Sequence, residues 1–148
     1  MYRHILIATD GSERATKGVQ QGLALAGSLQ AKATVLTVSE PISTGFDDAL
    51  GWSAVATSLP DFQNARDEAA RKVLDGVTAL ASAAGIVPQL LHVADRYAAE
   101  AIVDTAEQQG CDLIVMASHG RRALGRLLLG SQTSEVLARC GVPVLVIR

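Results

Sequence analysis

The sequence has few aromatic residues, few cysteines and almost no net charge, and each scarcity argues against a class of function. Its 148 residues include one tryptophan, two tyrosines and two phenylalanines, which are too few to surround a flavin ring. The two cysteines, Cys111 and Cys140, form neither a disulfide framework nor a zinc-binding spacing. Thirteen basic and fifteen acidic residues leave a formal net charge of -2, without a lysine or arginine tract, so we expect no DNA or RNA partner.

Several motifs are absent as well. The sequence contains no G-x-x-x-x-G-K-[ST] segment of a Walker-type site and no G-x-G-x-x-G after its first apolar run. A receiver-type phosphoacceptor domain needs clustered carboxylates and a late lysine, but Asp10 stands alone in its segment and no lysine follows Lys72. No apolar run approaches the roughly 20 residues that span a bilayer, and the first apolar run is too short for a secretory signal. We therefore expect a cytoplasmic protein with no membrane contact.

Two kinds of apolar segment alternate along the chain. Short β-branched runs, typical of strands buried on both faces, alternate with longer segments whose apolar residues recur at helical spacing. This alternation predicts one α/β domain over residues 1–148, with a five-stranded parallel sheet covered by helices on both faces. The predicted strands are His4–Thr9, Ala33–Val38, Leu90–Val93, Leu113–Ala117 and Pro143–Ile147. The predicted helices are Ala15–Leu29, Asp61–Ala84, Ala98–Gln109 and Ser131–Arg139.

Glycines and one aperiodic segment complete this prediction. Gly85, Gly110 and Gly141 each lie between a predicted helix and the next strand, where a residue in the left-handed conformation often ends the helix. The segment Glu40–Pro60, with Trp52 near its middle, is interpreted as a loop of about 20 residues. Its alternative roles are a mobile flap over a site or a segment ordered by a partner.

Polar and glycine-rich residues are concentrated after the first and fourth predicted strands. Ligands of doubly wound sheets bind at the carboxyl ends of strands, where the strand order reverses. In a five-stranded sheet of this kind, the reversal lies between these two strands. The first strand runs into Ala8-Thr9-Asp10-Gly11-Ser12 and the fourth into Ala117-Ser118-His119-Gly120.

The start of the last predicted helix favours an anion. A helix that begins at Ser131 leaves its first N–H groups unpaired, Gly130 permits close approach of a phosphate, and the Ser131 and Ser134 hydroxyls add donors. The alternative is that Ser131 only caps its own helix. Asp10 also has two interpretations, since it either holds Mg²⁺ together with phosphate oxygens or only hydrogen-bonds the turn that it starts.

The spacing of these residues resembles a known signature. Ala117-Ser118-His119-Gly120, nine further residues and then Gly130-Ser131 are similar to the G-x2-G-x9-G-[ST] pattern of the universal stress proteins. The opening HILIATDGSERA and the closing CGVPVLVIR resemble the first and last strands of that family, so the resemblance covers the whole chain. It implies a Rossmann-like, adenine nucleotide alpha hydrolase-like sheet with strand order 3-2-1-4-5. It also implies a homodimer that acts in cytoplasmic stress responses.

The same resemblance implies which residues bind a nucleotide, with ATP expected and AMP or another adenine nucleotide as the alternative. Asp10 matches the acidic residue near the nucleotide, Ala8 and Thr9 line the same turn, and the backbone of Val38 matches the adenine contact. The remaining contacts match the glycine loop and the following helix: Ala117, Ser118, His119, Gly120, Arg121, Gly130, Ser131, Gln132, Thr133 and Ser134. The sequence identifies no orienting partner for a catalytic base, so we expect slow hydrolysis or none.

One position departs from the signature. Ala117 stands where the first glycine of the pattern lies, and its methyl group is a small intrusion if φ is negative but a strain if φ is positive. If Ala117 abolishes ATP binding, the alternative function is a nucleotide-free dimeric interaction protein. The expected homodimer contact is the apolar segment Val144–Ile147, because an unprotected edge strand invites pairing.

Overall fold

Strands and helices alternate along the chain, as the apolar pattern predicts. The computed structural model describes residues 1–42, 49–119 and 129–148, and for residues 49–57 it describes the backbone only. In chain order the elements are β1 (His4–Ala8), α1 (Glu13–Leu29), β2 (Lys32–Ser39), α2 (Ala49–Ala83), β3 (Gln89–Ala94), α3 (Ala98–Gln109), β4 (Leu113–Ala117), α4 (Ser131–Arg139) and β5 (Val144–Ile147).

The strands form one parallel sheet with the order β3-β2-β1-β4-β5. In the centre of the sheet, Ile7 of β1 lies opposite Val35 of β2 on one side and Val115 of β4 on the other. The chain therefore proceeds in one direction from β1 to β3 and then returns to the other side of β1. The sheet order is confirmed, and the reversal lies between β1 and β4.

Each face of the sheet has its own apolar core, because alternate residues of a strand point to opposite faces. Ile5 and Ile7 of β1 pack in a cluster with residues of α1 and α2. Leu6 and Ala8 of the same strand pack in a second cluster with residues of α3 and α4. The helices therefore cover both faces, and the carboxyl ends of all strands lie at one edge.

The prediction of a loop over Glu40–Pro60 is wrong for its second half. Helix α2 begins at Ala49 and continues through Trp52 and Pro60 to Ala83, while residues 43–48 lie outside the described residues. Proline in a helix interior removes one hydrogen bond and clashes with the preceding turn, but α2 runs through Pro60. The segment from Ala49 to Leu59 contains no Asp or Asn and only one glycine, so its composition permits a helix.

Two of the three predicted helix-ending glycines are confirmed. Gly85 and Gly110 have φ values of 68° and 65°, which glycine adopts without a Cβ clash. Gly141 does not have a positive φ, so that prediction is wrong. Helix α4 ends at Arg139, and the next residue, Cys140, has an extended backbone with φ -76° and ψ 142°.

Candidate functional site

The structure brings the polar segments after β1 and β4 together at one edge of the sheet. Ile7 and Val115 are paired across the two strands, so Ala8 and Thr9 continue beside Met116 and Ala117. The Thr9 N–H donates to the Leu36 carbonyl at 2.9 Å, and the Ser118 N–H donates to the Ile147 carbonyl at 2.7 Å. These bonds extend the ladder past the strand ends and fix the floor of the site.

The turn after β1 is held by its own side chains. Asp10 Oδ1 accepts the Ser12 N–H at 2.9 Å, and Ser12 Oγ accepts the Ala15 N–H at 3.2 Å as the N-cap of α1. Gly11, with φ 78°, adopts the left-handed conformation that this turn requires. The turn-bonding interpretation of Asp10 is thus confirmed. Magnesium binding by Asp10 stays a prediction.

Helix α4 begins without a side-chain cap. Its N-cap residue is Gly130, which has extended backbone angles (φ -60°, ψ 154°) and no side chain to accept an N–H. The proposed capping role of Ser131 is therefore wrong. The N–H groups of Ser131, Gln132 and Thr133 have no acceptor within the helix, and they lie at its positive end.

Gly130 itself packs against the end of β4. Its N–H donates to the Ser118 carbonyl at 2.9 Å. A Cβ at this position would lie 3.2 Å from that carbonyl oxygen and 3.4 Å from the Cα of His119. Room for a phosphate is therefore not the sole reason for a glycine here, because a side chain at this position would also be in close steric contact with the protein's own backbone.

Two side chains of the first turn of α4 bond to the protein. Thr133 is 2% exposed, and its Oγ1 donates to the carbonyls of Ala117 at 3.1 Å and Ser118 at 3.2 Å. Gln132 Oε1 accepts the N–H of Ala99, in the first turn of α3, at 2.9 Å. The side chains of Gln132 and Thr133 are thus bonded within the protein, so these two predicted residues offer a ligand at the start of α4 only their backbone N–H groups. The other two predicted residues, Ser131 and Ser134, are exposed.

His119 lies next to this helix start. It is 8% exposed, its Nδ1 lies 3.1 Å from Ser118 Oγ, and its Cδ2 would lie 3.8 Å from a Cβ at Gly130. Its Nε2 is buried and has no hydrogen-bond partner among residues 1–42, 49–119 and 129–148. Buried polar atoms are nearly always hydrogen-bonded. An imidazole nitrogen without a described partner, next to a helix start whose first N–H groups have no acceptor within the helix, fits an anionic ligand.

Ala117 is accommodated without backbone strain. Among the described residues, the only residues other than glycine with positive φ are Gln30 and Asp95, so Ala117 has an ordinary strand conformation. Gly18 of α1 packs close to the Ala117 backbone, since a Cβ at Gly18 would lie 3.5 Å from the Ala117 nitrogen. Because Ala117 does not have a positive φ, its methyl group causes no backbone strain and glycine is not required at this position.

The other predicted residues lie around this centre. Val38 is half-buried near the carboxyl end of β2 and packs against the core on the α3 side. Gly120 and Arg121 lie outside the described residues. Over residues 1–42, 49–119 and 129–148, no group of three or more His, Cys, Asp or Glu could hold a metal ion. In the same ranges, no helix combines the length and the apolarity needed to cross a membrane.

Sequence analysis missed the bond between Gln132 and Ala99. The signal available was Tyr97, which precedes α3 at its N-cap position and makes no side-chain cap bond. Tyrosine is a poor N-cap residue, so an acceptor from another element was to be expected there.

Comparison with known proteins agrees with this geometry. The sequence model of the Universal stress protein family matches residues 1–148. "Universal stress protein in QAH/OAS sulfhydrylase 3'region" of Thermus aquaticus is 34% identical over 151 residues, which cover 100% of both chains. The structure of universal stress protein UspA from Lactobacillus plantarum is similar with a TM-score of 0.83 and 25% identity, over 99% of this chain and 98% of that one.

Two further solved structures share the fold at lower identity. One is a universal stress protein in complex with cAMP, with a TM-score of 0.74 and 22% identity over 99% of this chain and 97% of that one. The other is a universal stress protein from Archaeoglobus fulgidus in complex with dAMP, with a TM-score of 0.70 and 16% identity over 99% and 98%. The whole-length family match and the shared fold lead to one conclusion: the chain belongs to the universal stress protein family.

Proposed function

We propose that this chain, as a single domain of residues 1–148, is a regulatory module that binds an adenine nucleotide, with ATP as the ligand and AMP as its shorter analogue. The nucleotide lies across the carboxyl ends of β1 and β4. Its phosphates accept hydrogen bonds from the start of α4, and its base lies by the backbone of Val38. The observation that carries this proposal is the buried Nε2 of His119, which has no hydrogen-bond partner within the described residues and lies next to the start of α4, where Gly130 provides no side-chain cap.

The electrostatics of the site support an anion. The first N–H groups of α4, which have no acceptor within the helix, and the helix dipole give its start a partial positive charge. Phosphate binding at helix N-termini uses both features. Gly130 leaves this helix end without the acceptor that an Asp, Asn, Ser or Thr would supply. An acceptor from a ligand would pair these donors.

The relatives support an adenine nucleotide in particular. The ligands of the two nucleotide complexes, cAMP and dAMP, share an adenine, a pentose and a phosphate. Val38, near the end of β2, lies two residues beyond the partner of Ala8, on the other side of β1 from β4. A base by Val38 and a phosphate at α4 would therefore place the sugar across the end of β1.

The proposal includes magnesium and the rate of hydrolysis. Mg²⁺ often uses one or two carboxylates together with the phosphates of its nucleotide, and Asp10 is the carboxylate at the end of β1. His119 is the buried titratable side chain beside α4, but its Nδ1 faces the Ser118 hydroxyl and not a carboxylate. A base without a carboxylate to orient it fits slow hydrolysis or none.

The edge of the sheet supports the proposal of a homodimer. Among the described strands, β5 is the last in the sheet order and pairs with β4 alone, and its Leu145 is 39% exposed. Exposed apolar edge strands are templates for pairing with another chain. We therefore extend the proposal to a cytoplasmic homodimer through Val144–Ile147, in which the free thiols of Cys111 and Cys140 suit a reducing compartment.

Isothermal titration with ATP, AMP and adenosine tests the nucleotide site. The wild type should bind ATP and AMP more tightly than adenosine, because adenosine lacks the phosphate that α4 would hold. Gly130→Ala should weaken AMP binding about tenfold, equivalent to about 1.4 kcal/mol, because a Cβ there displaces the helix start. The control is Gly141→Ala, because a Cβ at Gly141 meets no atom within 4 Å and should change nothing. A wild type that binds none of the three ligands at millimolar concentration would overturn the proposal and favour the nucleotide-free interaction protein.

A further inference from the structure

We infer that Gln132 is a positioning residue of the proposed nucleotide site: its side chain joins the first turn of α4 to the first turn of α3, so that phosphate binding at α4 and hydrogen bonding at the start of α3 depend on each other. The inference rests on the proposed function and deepens it. The Gln132 carboxamide acts through the backbone of α4, and the residue touches the ligand only by its backbone N–H.

Helix α3 needs this bond because it has no cap of its own. Its N-cap residue, Tyr97, makes no side-chain hydrogen bond to the helix. Ala99 is the second residue of α3 and is 0% exposed, so water does not reach its N–H. Gln132 Oε1 accepts this N–H at 2.9 Å. A buried donor without an acceptor is unfavourable, so the bond fixes the start of α3 against α4.

The same bond fixes the start of α4. Gln132 is the second residue of this helix, between Ser131 and Thr133, and all three carry the N–H groups that would face a phosphate. Thr133 Oγ1 ties this turn to the carbonyls that end β4. The donors are thus held on two sides, by Thr133 from the sheet and by Gln132 from α3. Such preorganisation increases affinity, because less order has to be gained on binding.

Thermodynamic linkage makes the effect reciprocal. If the bond to Ala99 strengthens phosphate binding by some factor, then phosphate binding strengthens the bond by the same factor. Removal of the Gln132 acceptor should therefore weaken binding of a phosphate ligand. It should also remove the protection that the ligand gives to the Ala99 amide.

Arg139 supplies a matched control. It lies at the other end of α4, and its Nη1 approaches Glu100 Oε1 of α3 at 3.5 Å. Arg139→Ala therefore removes a contact between the same two helices, but at the end of α4 away from the proposed phosphates.

The test combines titration calorimetry with amide hydrogen exchange on the full chain. In Gln132→Met, which keeps the length but loses the acceptor, the Kd for AMP should rise about fivefold or more, the lower range of typical couplings. The Kd for adenosine should stay the same. AMP should slow exchange of the Ala99 amide in the wild type but not in Gln132→Met. Without ligand, the Ala99 amide should exchange faster in Gln132→Met than in the wild type, because its acceptor is gone. In Gln132→Glu, whose carboxylate accepts the same N–H, the exchange should again be as slow as in the wild type. Arg139→Ala should bind AMP as the wild type does.

Three results would overturn the inference while the proposed function stands. These are an unchanged Kd for AMP in Gln132→Met, an equal loss of AMP and adenosine affinity, or a loss in Arg139→Ala as large as in Gln132→Met. A wild type that binds neither ligand would overturn both the inference and the proposed function.

Discussion

The polar groups at the amino ends of the strands, here called the amino edge of the sheet, are paired differently from those at the carboxyl ends, the carboxyl edge. At the amino edge, the carboxylate of Asp112 accepts the backbone N–H groups of Arg3 and His4 at 2.9 to 3.0 Å. His4 Nε2 lies 2.8 Å from Thr34 Oγ1, which in turn donates to Gln89 Oε1 at 3.4 Å. At the carboxyl edge, the buried His119 Nε2 has no partner in the part of the chain that the structure describes, and it lies next to the start of α4, which Gly130 leaves without a side-chain cap. The polar groups named at the amino edge are paired within the chain, whereas among the described residues His119 Nε2 at the carboxyl edge is not.

The largest expected effect on stability is at the amino edge. Asp112→Ala removes the acceptor for three hydrogen bonds, and bonds to charged groups contribute more than neutral ones, so it should lower the free energy of unfolding by about 2 kcal/mol. Because the substitution is far from the start of α4, the Kd for AMP should stay unchanged. Chemical denaturation and calorimetry check the two parts. A loss of AMP affinity with unchanged stability would reverse the proposed division between the edges.

The contribution of Asp112 should depend on pH. The backbone N–H of His4 is the main cause that lowers the pKa of the Asp112 carboxyl below its ordinary value. The folded state thus prefers the carboxylate, so its stabilisation is complete above the unfolded pKa of about 3.9 and is lost as the pH falls through the lower folded value. The difference in unfolding free energy between the wild type and Asp112→Asn should shrink below about pH 4. A difference that stays constant down to pH 2 would contradict this assignment.

The sequence predicts the fold better than it predicts the roles of individual residues at the site. Buried strands such as Leu113–Ala117 are apolar throughout and lie between helical patterns, so their place in a parallel sheet is evident. The start of α2 at Ala49 was missed, because Pro60 and the glycines before it are typical of loops while the helix tolerates Pro60. The bond from Gln132 to Ala99 joins residues 33 positions apart, and no local pattern encodes such a contact.

Two histidines test the difference between the edges directly. His4→Phe removes one of the two partners of Thr34 Oγ1 and should lower the free energy of unfolding by about 1 kcal/mol without changing AMP affinity. His119→Phe removes the buried Nε2, which has no hydrogen-bond partner among the described residues, and also the Nδ1 that lies 3.1 Å from Ser118 Oγ. It should therefore lower the free energy of unfolding about as much as His4→Phe does and, in addition, raise the Kd for AMP about tenfold. Each variant is the control of the other. Equal effects of both on stability, with no effect on binding, would show that His119 is only a core residue.

The smallest effect concerns the two thiols. Burial, and to a lesser degree Asp112, raises the pKa of Cys111 to about 11, whereas Cys140 is only half-buried. Since the thiolate is the reactive form, Cys140→Ser, which leaves Cys111, should react with iodoacetamide at pH 8 at least about ten times more slowly than Cys111→Ser. The raised pKa also means that stability is lost as the pH rises from the unfolded thiol value of about 8.5 towards the folded value. Equal alkylation rates in the two variants would show that the amino edge admits solvent at Cys111.

The most direct measurement is an amide NMR titration of the isotope-labelled protein with AMP and, separately, with adenosine. AMP should shift the amide resonances of Ser131, Gln132 and Thr133 strongly, because their N–H groups would donate to its phosphate, and adenosine should leave them nearly unchanged. The amides of Arg3 and His4 should not move with either ligand. Shifts confined to the amino edge, or no shift at the start of α4 with AMP at saturation, would contradict the account.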